Sequence, residues 1–226
     1  MEELKCKYLF TEVEEHTIAY ALINECEYPW QILPKIKDFI LSLGPTLSEE
    51  EYYLLKENVW VAKSAKIAPS ADITGPAIIC EGAEIRPSAF IRGSAIVGRF
   101  AVVGNSTELK NAILFDRVQV PHFNYIGDSV LGYRSHTGAG AITSNVKSDK
   151  TPVTVKTPFG RVETGLKKFG AILGDCVEVG CNSVMNPGTV IGKNSNVYPL
   201  SSVRGYVPEN SILKNIQSQT VTVKKS

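Results

Sequence analysis

The chain has 226 residues, 43% of them hydrophobic, and its 24 basic and 23 acidic side chains leave a formal net charge of +1. A nearly neutral chain has no overall field that attracts nucleic acid or an anionic membrane, so we expect neither as a partner. The five cysteines are odd in number and form no C-x-x-C pair, which argues against a disulfide framework and indicates free thiols in a reducing compartment.

Residues 1–58 are predicted to form a small N-terminal helical cap. The segment opens without a basic head and apolar run, and no apolar stretch of the chain reaches the ~20 residues that span a bilayer, so we expect a cytoplasmic protein. Pro34 precedes an apolar pattern at helical spacing that ends at Gly44, which predicts one helix. Ser48 and Glu51 have the spacing of a capping box and predict a second short helix. We expect both helices to cover the open edge of the repeat that follows.

A period of six residues dominates residues 59–214. Alanine stands four places after each of the first seven members of the series, and the step shortens to five at Leu114 and at Leu131. A second strict run extends from Leu173 to Val203. The first run contains nine aliphatic residues, eight of them β-branched: Val61, Ile67, Ile73, Ile79, Ile85, Ile91, Val97, Val103 and Leu109.

Six fits neither the 3.6-residue period of a helix nor the alternation of a plain strand. The period is explained if each hexad is one short flat strand plus a turn, with three hexads closing a coil that pairs with the next coil at about 4.8 Å. The pattern [aliphatic]-x-x-x-[small]-x resembles the hexapeptide-repeat family, and this resemblance implies a mainly β fold, the left-handed parallel β-helix. A β-sandwich with regular strands is the alternative, but sandwich strands alternate with period two and have irregular loops.

Two segments lie outside the ladder. Residues 146–169 contain alternating Val153 and Val155, a P-F-G turn and several lysines, which predicts an inserted loop with a hairpin extruded from the coils. Loops on rigid scaffolds often carry selectivity. Residues 215–226 are predicted to be a C-terminal tail that adds a strand or trails loosely.

The middle of the ladder carries a more specific resemblance. The run VGNSTELKNAILFDRVQVPHFNYIGDSVLG, followed by GAGAITSN, is similar to the acetyltransferase domain of bifunctional N-acetylglucosamine-1-phosphate uridyltransferase/glucosamine-1-phosphate acetyltransferase. The similarity covers roughly residues 85–207. It implies an acetyl-CoA-dependent N-acetyltransferase that acts on an amino-sugar phosphate resembling glucosamine-1-phosphate. The glycine-rich nucleotidyltransferase loop is absent from the sequence, so we expect no uridyltransferase activity.

The resemblance also implies site residues. An amino sugar attacks a thioester only as the free amine, and imidazole titrates near neutrality, so His122 suits the role of general base that the matching histidine has in the family. Arg92 and Lys110 match contacts to the phosphate and the sugar, where an arginine fork binds two oxygens and lysine supplies a compact charge. Tyr125 and Asn145 match sugar-binding positions.

Acetyl-CoA lies in a groove between neighbouring subunits of a homotrimer in the resembled family. Ala139 and Cys181 fall at the matching positions that face the cofactor, and the family more often has serine in place of Cys181. The sequence departs from the family at three positions of the sugar pocket. His136 stands where the family has asparagine, Val146 where it has tyrosine and Thr151 where it has lysine. A one-residue shift of the alignment would instead place Lys150 at the position of the lysine.

Two other functions compete with acetyl transfer. A zinc hydrolyase of the γ-class carbonic anhydrase kind needs three histidine ligands at the subunit interface, whereas only His122 and His136 lie in the coils and His16 lies in the cap. We therefore expect no metal site. A non-catalytic sugar-nucleotide-binding or trimerisation module is the second alternative, and the altered sugar pocket favours it.

Overall fold

The fold was determined as a computed structural model that describes residues 1–215. The predicted tail, residues 215–226, lies outside the described residues except for Asn215, whose Nδ2 donates a hydrogen bond to the Leu200 carbonyl at 2.8 Å. The N-terminal region contains 3₁₀ turns at Glu2–Leu4, Pro29–Gln31, Leu33–Lys35 and Gly44–Thr46, and the helices α1 (Cys6–Leu9), α2 (Val13–His16), α3 (Tyr20–Asn24) and α4 (Ile36–Leu43). Helix α4 confirms the first predicted helix, and Gly44 follows its last residue.

The strands of residues 1–215 are mostly two to four residues long, as the hexad interpretation requires. In chain order they are β1 (Tyr52–Lys56), β2 (Val59–Ala62), β3 (Lys66–Ile67), β4 (Asp72–Ile73), β5 (Ala77–Ile79), β6 (Glu84–Ile85), β7 (Phe90–Ile91), β8 (Ala95–Val97), β9 (Val102–Asn105), β10 (Glu108–Leu114), β11 (Gln119–His122), β12 (Tyr125–Leu131), β13 (His136–Thr137), β14 (Ile142–Thr143), β15 (Thr154–Thr157), β16 (Gly160–Glu163), β17 (Ala171–Leu173), β18 (Glu178–Val179), β19 (Val184–Met185), β20 (Thr189–Ile191), β21 (Asn196–Val197), β22 (Ser202–Val203), β23 (Tyr206–Val207) and β24 (Ile212–Leu213).

Parallel pairing arranges these strands on three faces. The first face contains β2, β5, β8, the second halves of β10 and β12, β17, β20 and β23. The second face contains β3, β6, β9, β11, β13, β18, β21 and β24. The third face contains β4, β7, the first halves of β10 and β12, β14, β19 and β22. The chain visits the second, third and first faces in turn, so three strands close each coil, and the predicted parallel β-helix with its short N-terminal helices is confirmed.

The aliphatic ladder forms the interior, and its members from Ile73 to Leu109 are at most 2% exposed. Partners in successive coils are 18 positions apart in the first coils, as for Ala77 and Ala95, and 16 apart in the last, where Val190 pairs with Tyr206. The spacing is 17 where Leu114 pairs with Val97 and where Leu131 pairs with Leu114. The two shortened steps of the sequence are therefore two coils that lack one residue each.

The N-terminal segment, residues 1–47, here called the strap, lies along the first face. Helix α4 packs against β8 and β10, the rings of Phe10 and Phe115 are 4.9 Å apart, and those of Trp30 and Phe169 are 6.1 Å apart. Residues next to the ladder residues point to the opposite side of each strand. On the first face these outward residues form an apolar row that is fully buried: Ile78, Ile96, Ile113, Val130, Ile172 and Val190.

The second predicted helix is wrong. Residues 48–51 form a turn in which the Ser48 Oγ accepts a hydrogen bond from the Glu50 N–H at 3.2 Å. The chain then forms β1, which pairs antiparallel with β2. Strand β2 lies at the outer edge of the first coil, where its backbone N–H and C=O groups need hydrogen-bond partners. A second strand supplies these partners, whereas a helix cannot.

The inserted loop is confirmed as a hairpin. Strands β15 and β16 pair antiparallel with Val155 opposite Val162, and the insertion separates the paired residues His136 and Glu178 by 42 positions. Val153 and Val155 are fully buried because β15 packs against β20 and β23. The hairpin therefore continues the cover of the first face where the strap ends.

Within residues 1–215 we find no helix that is both long enough and apolar enough to cross a bilayer.

The inward ladder predicts that its side chains stabilise the folded protein. Ile79 is fully buried, and Ile79→Ala should lower the free energy of unfolding by about 2 to 5 kcal/mol because it leaves a cavity between two coils. Urea denaturation measures the change. The matched control is Ile212→Ala, at a side chain that is 57% exposed, which should cost less than about 0.5 kcal/mol. Equal losses in the two variants would contradict the inward ladder.

Candidate functional site

His122 ends β11 at the corner between the second and third faces, and its side chain is exposed. The buried Asn124 fixes this corner: its Oδ1 accepts a hydrogen bond from the His122 N–H at 3.1 Å, and its Nδ2 donates to the carbonyls of Gly138 and Ala141 at 2.8 and 3.0 Å. The imidazole itself makes no hydrogen bond or ion pair with residues 1–215. Its nitrogens are free to exchange a proton with a bound molecule.

Ala139 and Cys181 occupy the same corner in the next two coils. The Gly140 N–H donates to the His122 carbonyl at 3.0 Å, and the Asn182 N–H donates to the Ala139 carbonyl at 2.9 Å. The structure therefore brings the predicted base and the two predicted cofactor-facing residues onto one ridge, with steps of about 4.8 Å between coils. The Cys181 thiol is free and exposed.

Two of the four predicted substrate-binding residues, Lys110 and Asn145, contact a buried carboxylate at the opposite edge of the third face. Asp128 accepts hydrogen bonds from Asn111 Nδ2 at 2.9 Å and from Asn145 Nδ2 at 2.5 Å, and its Oδ2 lies 3.6 Å from Lys110 Nζ. Asn145 also donates to the Tyr125 hydroxyl at 3.2 Å. We call this group the Asp128 cluster; it comprises Arg92, Glu108, Lys110, Asn111, Tyr125, Asp128 and Asn145.

Arg92 joins the cluster through Glu108. Its Nη1 donates to Glu108 Oε1 at 2.6 Å, and that hydrogen bond is the main reason why the pKa of Arg92 is raised. The Tyr125 hydroxyl has a raised pKa as well, first because it is partly buried and then because of the Asp128 and Glu108 charges. The tyrosine therefore stays a hydrogen-bond donor well above neutral pH.

Three members of this cluster had no role in the sequence prediction: Glu108, Asn111 and Asp128. All three lie within the motifs ELKNA and YIGD that carry the resemblance, so a signal was present. The glycine of YIGD also has a local reason, because a Cβ on Gly127 would come within 2.5 Å of the Tyr125 hydroxyl. A side chain at that position would push the tyrosine away from the cluster.

The other two histidines have partners of their own. His136 lies on the second face, where its Nδ1 is 2.7 Å from Glu178 Oε2. His16 belongs to the strap and stacks on Tyr133 with the ring centroids 3.6 Å apart. In residues 1–215 the group of three potential metal ligands within reach of one another is Glu12, Glu15 and His16, which includes neither histidine of the coils.

The remaining departures from the family pattern lie in the inserted loop. Val146 is exposed, and the Thr151 hydroxyl donates to Asp149 Oδ1 at 2.8 Å. Lys150 has a positive φ of 58° and is exposed. None of these residues contacts the Asp128 cluster through a hydrogen bond or ion pair among residues 1–215.

Comparison with known proteins identifies relatives for most of the chain. A family model described as the GMPPB C-terminal domain matches residues 73–221. The bifunctional protein GlmU of Methanococcus maripaludis strain S2 is 31% identical over 205 residues, which are 90% of this chain and 50% of the relative. A bifunctional sugar-1-phosphate nucleotidylyltransferase/acetyltransferase of Sulfurisphaera tokodaii is 34% identical over 94 residues, 42% of this chain and 23% of the relative.

The chain thus spans about half the length, or less, of the curated relatives it matches. Among solved structures, the acetyltransferase domain of PglB from Neisseria gonorrhoeae in complex with acetyl coenzyme A aligns at a TM-score of 0.31 and 14% identity, covering 69% of this chain and 53% of that chain.

The buried carboxylate allows a test of the cluster. Asp128→Asn should lower the free energy of unfolding by about 3 kcal/mol. The change removes the negative partner of Lys110, and it places an amide N–H₂ group against the N–H donors of Asn111 and Asn145. Urea denaturation gives the value. Asp72→Asn is the matched control, since Asp72 pairs with Lys56 on the surface at 3.4 Å and should cost about 0.5 kcal/mol or less. If both variants were equally stable, Asp128 would not organise the cluster.

Proposed function

We propose that this chain, which belongs to the GMPPB C-terminal domain family, transfers an acetyl group from acetyl-CoA to the amine of an amino-sugar phosphate resembling glucosamine-1-phosphate. The observation that carries the proposal is an exposed imidazole that has no partner among residues 1–215, on the same ridge as Ala139 and Cys181. A cluster of two cations, a tyrosine and an asparagine lies one short face away. The name of the Sulfurisphaera tokodaii relative, a bifunctional sugar-1-phosphate nucleotidylyltransferase/acetyltransferase, supports the same reaction.

The reaction follows from the residues at the two corners. Arg92 and Lys110 bind the phosphate, while Tyr125 and Asn145 bind sugar hydroxyls. Neutral His122 accepts a proton from the amine as its nitrogen attacks the thioester carbonyl carbon. The tetrahedral intermediate then collapses, the C–S bond breaks, and the imidazolium returns its proton to the sulfur as free CoA leaves.

The oxyanion of that intermediate needs a donor. The Ala139 N–H makes no hydrogen bond with any acceptor in residues 1–215, although its neighbours Gly138 and Gly140 both donate to carbonyls of adjacent coils. An unpaired backbone N–H one coil from the base suits this role, since fixed donors stabilise developing negative charge without reorganisation.

Assembly is part of the proposal. We place acetyl-CoA in a groove that a neighbouring subunit of a homotrimer completes. Large apolar side chains are exposed beside the ridge, with Phe123 62% and Leu200 63% exposed, and exposed apolar surface of this kind favours association. The product, an N-acetylated sugar phosphate, is suited to the biosynthesis of UDP-N-acetylglucosamine and of cell-wall precursors, with uridyl transfer carried out elsewhere.

A non-catalytic module that binds a sugar nucleotide is the second candidate. The close contact between His136 Nδ1 and Glu178 Oε2 favours it, as does the Thr151–Asp149 hydrogen bond, because each uses a position that contacts the sugar in the resembled family. This candidate predicts binding without turnover.

The first test removes the base. His122→Ala should lower kcat by on the order of a hundredfold or more, because proton transfer loses its acceptor, and should change KM for the sugar phosphate little. Release of CoA thiol from acetyl-CoA measures turnover. The control is His136→Ala, which should keep kcat within a few-fold. Wild-type turnover in His122→Ala would sink the assignment of the base.

The second test identifies the acceptor. Turnover should be highest with an amino-sugar phosphate and much lower with the free amino sugar, and Arg92→Gln should raise KM for the phosphorylated acceptor alone. The same preparation should sediment as a trimer. A trimer that acetylates none of a panel of amino-sugar phosphates would favour the binding module, and a monomer would contradict the shared groove.

A further inference from the structure

A second concentration of positive charge lies between the hairpin and the last coils. It surrounds a groove of about 270 Å³, which we call the basic groove. Asp149 is the one carboxylate among its lining residues. Its four cationic side chains are Lys147, Lys156, Arg161 and Arg204.

The single carboxylate is already occupied. Asp149 Oδ1 accepts hydrogen bonds from the Thr151 N–H at 3.0 Å and the Thr151 hydroxyl at 2.8 Å, and its Oδ2 lies 3.4 Å from Lys147 Nζ. These contacts, the backbone hydrogen bond first, hold the pKa of Asp149 below its usual value. Asp149 therefore neutralises Lys147 and leaves the other three cations uncompensated.

Those three cations form no ion pair with any carboxylate of residues 1–215. Lys156 and Arg161 stand directly opposite each other in the register of the hairpin. Like charges in such a cross-strand pair destabilise a sheet. An anion between them would reverse the sign of this interaction.

The backbone segments that form the groove are closely packed against each other. Gly205 has a φ of +76°, and a Cβ at this position would lie 2.4 Å from the Lys156 carbonyl oxygen. The hairpin backbone therefore rests directly on the corner that carries Arg204. Because buried Val155 anchors the strand that carries Lys156, the backbone on this side of the groove is held in position before any ligand binds.

We propose that the basic groove binds a small anion with two linked phosphoryl groups, the group that is common to inorganic pyrophosphate and nucleoside diphosphates. Three uncompensated cations match the roughly threefold negative charge of such an anion, and two guanidinium forks can each bind two phosphoryl oxygens. Arg92 and Lys110 do not line the groove, so the site is distinct from the Asp128 cluster. The proposal does not require acetyl transfer.

The test measures binding in the full chain after the candidate phosphate contacts are removed with Arg92→Gln and Lys110→Gln. Calorimetric titration of this parent with pyrophosphate should show one site per chain that weakens as salt increases. Adding Arg161→Gln or Arg204→Gln should each weaken binding about tenfold or more. The control is Lys66→Gln, an exposed lysine of the second face, which should leave binding unchanged.

A parallel titration with UDP separates the two sources of the anion. Equal affinities identify the diphosphate as the recognised group, and tighter binding of UDP identifies a nucleotide. The proposal would be overturned if the parent bound neither compound. It would also be overturned if the Arg161→Gln variant bound them as tightly as the parent. Binding of long single-stranded oligonucleotides alone would overturn it too, in favour of nucleic acid.

Thermal unfolding is a second measurement, and it distinguishes loss of the binding site from loss of folded structure. Without ligand, Arg161→Gln should melt at the same or a higher temperature than the parent, because it relieves the opposed charges. Pyrophosphate should raise the melting temperature of the parent and not that of the variant. A lower melting temperature of the free variant would show that Arg161 stabilises the hairpin and would contradict the argument.

Discussion

Parallel coils satisfy their backbone hydrogen bonds only through the coil above and the coil below, so each coil must repeat the shape of its neighbours. The aliphatic ladder enforces this repetition from inside, and where its step shortens at Leu114 and Leu131 the whole coil shortens with it, so the stack of side chains stays paired and buried. The register of the coils also fixes the positions of the side chains that point outward. His122, Ala139 and Cys181 share a ridge because their coils are in register. The residue types in each outward column therefore determine which groups the scaffold can bring together at one corner.

The six-residue step predicted most of the fold, because a period that fits neither helix nor plain strand leaves few solutions. The shortened steps at Leu114 and Leu131 have a simple structural meaning. The error at Ser48 has a physical cause, since the capping-box spacing is a local signal, and the unpaired edge of the first coil outweighed it. Local patterns could not show that the strap lies along a face, because its partners are more than a hundred positions away in places.

The candidate site was predictable in part for a related reason. A motif names residues that contact a ligand, and it says little about those that hold them in place. Glu108 and Asp128 belong to the second kind, and only the register of the third face reveals that they pair with Arg92 and Lys110. The two charged sites of the molecule differ in this respect. Each cation of the Asp128 cluster already has a carboxylate, so an incoming phosphate competes with it, whereas three cations of the basic groove have no carboxylate partner in the described part of the chain.

The strap has a consequence for how the protein is made. Residues 1–47 are synthesised before any strand of the first face, so the aromatic rings of Phe10 and Trp30 have no native surface to pack against at that stage. Their partners, Phe115 and Phe169, emerge far later. Coils can stack one by one as they appear, but the strap docks only when most of the stack exists. Until then the apolar side chains of the strap lack their native partners and are open to non-native contacts.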